Sequence, residues 1–79
     1  MQLYNIITID KDILGGQPVF TGTRVPVETL FDHLEAGVPL AEFLEDFPSV
    51  SLEQAVALLD TASKLLTSKK VAQLYAAVA

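Results

Sequence analysis

The sequence predicts a mainly α-helical domain with a short β element at its N-terminus and a helical tail at its C-terminus. Three observations carry this. Leu3, Asn5, Ile7 and Ile9 alternate with Tyr4, Ile6 and Thr8 in a β-branched run at period two. Two apolar stripes then repeat at i, i+3, i+4, i+7: Val27, Leu30, Phe31, Leu34 and Leu40, Phe43, Leu44, Phe47. Finally, Ser51-Leu52-Glu53-Gln54 has the form of a capping box that opens a third helix.

The elements follow in order. Asp10-Lys11-Asp12 ends the first strand, and Gly15-Gly16-Gln17-Pro18 is a turn, since Gly accepts positive φ and Pro fixes the next φ. Pro18-Val19-Phe20 and Thr23-Arg24-Val25 flank Thr21-Gly22 as a very short hairpin, limited by Pro26, which cannot donate a ladder hydrogen bond. Gly37 is the expected residue just past the end of the first helix, and Pro39 blocks its continuation. Pro48 stops the second helix. The third is expected to bury Leu52, Ala55, Val56, Leu59, Ala62 and Leu66. Residues 1–66 form the domain. Residues 67–79 form an amphipathic tail, whose stripe of Val71, Leu74, Tyr75 and Val78 lies about 130° around the helix from the one ending at Leu66. Either the chain breaks near Thr67-Ser68, with Ser68 a new N-cap and the tail folding back on the core, or the tail's apolar face serves a partner.

Length and charge bound the function. A chain of 79 residues folds to roughly 4,700 Å² of surface, against about 12,000 Å² extended, so it holds one thin core. Such a core supplies ~3–5 kcal/mol, and small domains add disulfides, a metal or self-association. There is no Cys and one His, which excludes disulfides, zinc–thiolate sites and paired-His sites. Self-association is left, and the 51% hydrophobic content favours it. A homodimer is therefore expected, with no metal, cofactor or small-molecule substrate. Met1 to Asp10 has no Lys or Arg ahead of its apolar residues, as a secretory signal would need, and no stretch reaches ~18 apolar residues. A cytoplasmic chain off the membrane is expected.

The net charge of −5 is unevenly spread. Residues 1–24 are neutral. Residues 25–63 carry Glu28, Asp32, Glu35, Glu42, Glu45, Asp46, Glu53 and Asp60 with no base, while residues 64–79 carry Lys64, Lys69 and Lys70 with no acid. No catalytic residue is expected. His33 lies off the apolar stripe as an exposed helix residue, without a Cys or Ser-His-Asp pattern beside it. The Gly15-Gly16 turn lacks the spacing of a phosphate loop. Arg24, the only Arg, is expected either to pair with Asp10, Asp12 or Glu28, or to meet a phosphate or carboxylate with its planar fork.

The run Gly15 to Val27 makes the sequence recognisable. It resembles family 433 of the domains of unknown function, small prokaryotic proteins with the hallmark G-G-x-P-x-x-x-G-T-R-[IV]-[PV]-V. Leu34-Glu35-Ala36-Gly37 is similar to the family's L-x-x-G, and Phe47-Pro48-Ser49-Val50-Ser51 to its [YF]-P-x-L-[ST]. The resemblance implies a winged-helix or helix-turn-helix-like three-helix bundle. It also implies a VapB-like antitoxin of a type II toxin–antitoxin system, one that neutralises a PIN-like ribonuclease toxin by direct contact and can bind operator DNA as a dimer. The alternative is a stand-alone helix-turn-helix transcriptional regulator.

Two sets of residues are candidates on this basis. For a protein partner they are Val71, Leu74, Tyr75 and Val78 on the tail and Glu42, Glu45 and Asp46, which would complement a basic ribonuclease. For DNA they are Arg24, Lys11, Thr23, Ser51 and Gln54. The third helix has recognition-helix spacing, but its segment offers no base to neutralise phosphate.

Overall fold

A computed structural model describes the backbone of residues 3–78 and the side chains of residues 5–77. One helical turn, α1 (Leu3–Ile6), leads into β1 (Ile7–Thr8), which pairs antiparallel with β2 (Val19–Phe20) in the register Ile7↔Phe20 and Thr8↔Val19. Four helices follow: α2 (Val27–Glu35), α3 (Leu40–Asp46), α4 (Leu52–Leu66) and α5 (Lys69–Val78). This is the mainly helical chain with a short N-terminal β element that the sequence predicts.

The strand expected from Leu3 to Ile9 is shorter, and its first half is helical. A strand extends only as far as its partner, and β2 is confined between Pro18, which has no N–H, and the turn at Thr21-Gly22. Freed from pairing, residues 3–6 coil and pack against α4, sending Ile6 (1% exposed) into the core.

The expected hairpin forms as a single bridge, Val19↔Pro26, with Phe20 N–H donating to Val25 O at 2.9 Å. Gly22 turns it at φ +79°, a left-handed conformation other residues rarely adopt. The Thr23 hydroxyl donates to Phe20 O at 2.8 Å and accepts from Val25 N–H at 3.0 Å. Val27 N–H donates to Pro18 O at 3.0 Å, which ties the start of α2 to the sheet.

The helix boundaries follow their signals. Gly37, at φ +81°, closes α2 in a Schellman motif, with Val38 N–H on His33 O at 2.9 Å and Gly37 N–H on Leu34 O at 3.0 Å. Pro48 follows the end of α3. The Phe47–Ser51 turn buries Val50 (3% exposed) and delivers the chain to the capping box.

The core joins Ile6, Phe20, Leu30, Phe43, Val50, Ala55 and Leu58. Phe43 is its hub, with ring centroids 6.3 Å from Phe20 and 5.0 Å from Phe47. His33 is not the exposed residue expected. It is half-buried, edge-on to Phe43 (5.3 Å) and Phe47 (5.6 Å), and its Nδ1 donates to Thr29 O at 2.8 Å. One turn of helix places it beside Leu30, where α3 crosses α2 and brings two aromatic rings.

The buried face of α4 also differs from expectation. Ala55 and Leu58 face the core, with Leu59 and Ala62 half-buried, while Leu52, Val56 and Leu66 are exposed. At ~100° per residue Leu58 sits about 120° from Leu52. The apolar arc of α4 is wider than the small body beneath it, so one edge is covered and the other is open.

Candidate partner-binding surface

The N-terminus of α4 is where a recognition helix would read DNA, and here its capping side chains are engaged within the fold. Gln54 Oε1 accepts from Ser51 N–H at 3.0 Å, and Ser51 Oγ accepts from Gln54 N–H at 3.1 Å, which completes the capping box. Gln54 Nε2 reaches 33 residues back and donates to Thr21 O at 2.8 Å. The side chain thus pins the start of α4 to the turn after β2. Gln54→Ala should cost about 2 kcal/mol, since it removes half of a cap and the hydrogen bond that ties α4 to the turn after β2. Urea unfolding checks this. A side chain free to read bases would leave the midpoint unchanged.

Three of the five DNA candidates are therefore engaged within the fold: Ser51 and Gln54 in the cap, and Thr23 in the turn. Lys11 and Arg24 are exposed. Arg24 makes none of the anticipated ion pairs among the described residues. Two of the three carboxylates considered for it have other partners, as Glu28 Oε2 accepts from Gln17 Nε2 at 3.3 Å and Asp10 Oδ1 from Asp12 N–H at 2.9 Å. The turn fixes the backbone on either side of Arg24 and leaves its side chain in solvent.

The partner candidates fall on two surfaces. Glu42, Glu45 and Asp46 are exposed on α3, and α2, packed beside it, exposes Glu28, Asp32 and Glu35. No Lys or Arg lies on either helix. The ion pair among the described residues is elsewhere, Asp60–Lys64 at 2.9 Å on α4. The α2–α3 side is therefore an acidic face without a compensating base.

The second surface is apolar. The chain breaks at Thr67-Ser68 as anticipated, and Ser68 precedes α5 with its carbonyl accepting from Val71 N–H at 3.2 Å. The Thr67 hydroxyl donates to Ser63 O at 2.8 Å and the Ser68 hydroxyl to Leu65 O at 2.9 Å, so both satisfy carbonyls at the end of α4. The tail does not fold back over the core. It packs on the end of α4, with Val71 half-buried and Leu74 (62%) and Tyr75 (74%) exposed. The Val78 side chain lies outside the described residues. Leu65, Lys70, Gln73 and Leu74 line an open depression between the two helices.

Sequence reasoning missed that the outer edge of α4, with Leu52, Val56 and Leu66, is left open to solvent. The sign was present: six leucine or valine positions in one 15-residue helix exceed what one buried stripe uses. Among the described residues no cluster of His, Cys, Asp and Glu could hold a metal, and no helix is long and apolar enough to cross a membrane.

Comparison with known proteins places this arrangement. The uncharacterized protein y4eO of Sinorhizobium fredii (strain NBRC 101917 / NGR234) is 45% identical over 49 residues, which are 62% of this chain and 22% of that protein. The chain thus spans about a fifth of that curated relative. The crystal structure of a DUF433 member protein from Anabaena variabilis ATCC 29413 superposes with a TM-score of 0.66 at 28% identity, over 94% of this chain and 71% of that one. A family model described as a protein of unknown function (DUF433) matches residues 7–61, from β1 through most of α4. The chain belongs to the DUF433 family.

Proposed function

We propose that this chain is a binding module of the antitoxin kind, which acts in the cytoplasm by capturing a PIN-like ribonuclease through direct protein contact. The observation that carries the reading is the acidic α2–α3 face. Its exposed carboxylates include the like-charge i,i+4 pairs Glu28–Asp32 and Glu42–Asp46, each unfavourable by a few tenths of a kcal/mol. A chain tolerates such repulsion without loss where a basic partner neutralises it, and a ribonuclease is basic around its RNA groove. Glu42, Glu45 and Asp46 would steer the encounter, and Leu74 and Tyr75 would add apolar contact from α5. The test is co-purification of the chain with the ribonuclease encoded beside it, with the mass of the complex measured. Recovery of the two proteins separately at low salt contradicts the reading.

A second reading, operator binding by a dimer, is favoured by Arg24. It is an exposed cation on a rigid turn, outside the acidic segment. If it meets phosphate, Arg24→Ala should weaken binding to promoter DNA about equally for all sequences. It should also lower the slope of log affinity against log salt by about 1 for each phosphate no longer neutralised. A shift assay at two salt concentrations measures both.

A further inference from the structure

We propose that the open edge of α4 is a self-association surface, and that a second copy of this chain covers it with the two α4 helices antiparallel. This goes beyond the ribonuclease reading and needs no ribonuclease to hold.

Surface area gives the first argument. The chain exposes 5611 Å², whereas a compact fold of this mass exposes about 4,700 Å². Its radius of gyration is 13.8 Å, against about 12 Å for a compact domain of this length. The excess of roughly 900 Å², to which α5 with its exposed Leu74 and Tyr75 also contributes, is of the order of the ~800 Å² that each partner gives to a standard interface. Three exposed large hydrophobics line this edge of α4, Leu52 at 58%, Val56 at 49% and Leu66 at 65%.

Charge gives the second argument and fixes the orientation. Leu52, Val56, Leu59 and Leu66 lie on one stripe of α4 at ~100° per residue. Glu53 and Lys64 lie on the same flank of that stripe, one near each end. A two-fold axis at Leu59 sets Leu52 of each copy against Leu66 of the other. In an antiparallel pair the same flanks meet, so Glu53 of each copy faces Lys64 of the other. A parallel pair would bring opposite flanks together, so Glu53 and Lys64 would find no partner in each other. Lys64 already pairs with its own Asp60 at 2.9 Å, and Glu53 of the other copy would add a second carboxylate to that ammonium. Antiparallel pairing also leaves the acidic α3 edge free.

The experiment is mass measurement of the full chain alone by light scattering and sedimentation. The expected result is twice 8.5 kDa, with dissociation on dilution. Val56→Glu places a charge in the seam at a site exposed within one copy. It should raise the dissociation constant at least ~10-fold while leaving helicity unchanged. Glu53→Lys and Lys64→Glu should each weaken the dimer about 5- to 10-fold, because the two-fold axis makes each change twice per dimer. The double variant should recover the affinity, which a merely destabilised helix would not. A chain that stays at 8.5 kDa at about 100 µM overturns the proposal. So does a dimer indifferent to Val56→Glu, or a double variant as weak as the singles. Failure of these arms leaves ribonuclease capture standing, and failed capture leaves them standing.

Discussion

Phe43→Ala leaves the domain largely unfolded near physiological temperature. Phe43 is fully buried and packs on Phe20, Phe47 and His33, so it joins α2, α3 and the sheet in one cluster. Removing a buried Phe costs about 3–5 kcal/mol, the transfer free energy of the ring plus the cavity left behind. A domain of this length holds only about 4–12 kcal/mol in total, and its thin core puts it toward the low end. With ~4–8 °C of Tm per kcal/mol, thermal unfolding followed by circular dichroism should fall by more than about 10 °C. Leu74→Ala, at an exposed position on α5, should move it by no more than ~2 °C. A small shift for Phe43→Ala would mean that the aromatic cluster is not what holds α3 to the body.

Glu42→Lys, Glu45→Lys and Asp46→Lys together should slow capture of the ribonuclease by at least ~10-fold at low salt, and the difference should shrink as salt is raised. The single change Glu42→Lys has a diagnostic pair of effects. It turns the repulsive Glu42–Asp46 pair into an attractive one, so the free domain gains a few tenths of a kcal/mol. Capture nevertheless weakens. Opposite signs for stability and binding separate a surface matched to a partner from one that only keeps the chain dissolved. Stopped-flow association and thermal unfolding of the same sample measure both.

Much of the helical body was legible in the sequence because its signals are local. The Ser51–Gln54 box, Gly37 and the prolines before α2 and α3 and after α3 act on their own neighbours, and each sits where its chemistry requires. What was not legible depended on partners distant in the chain. The N-terminal run reads as a strand from Leu3 to Ile9 until β2 proves two residues long. His33 reads as exposed until α3 sets two rings against it. Gln54 reads as a base-reading side chain until Thr21, 33 residues away, takes its amide. Arg24 reads as an ion-pair former until Asp10 and Glu28 are found engaged elsewhere. The face of α4 was misjudged for a different reason. Its apolar arc holds two surfaces, and periodicity gives the centre of an arc without saying how much of it the body covers.

RNA cleavage by the proposed partner, a PIN-like ribonuclease, titrated with the purified chain, tests the central claim most directly. The account predicts a linear loss of cleavage to zero at a fixed molar ratio. It also predicts that the triple variant at Glu42, Glu45 and Asp46 needs a large excess to do the same. Cleavage that continues undiminished at saturating wild-type chain would contradict it.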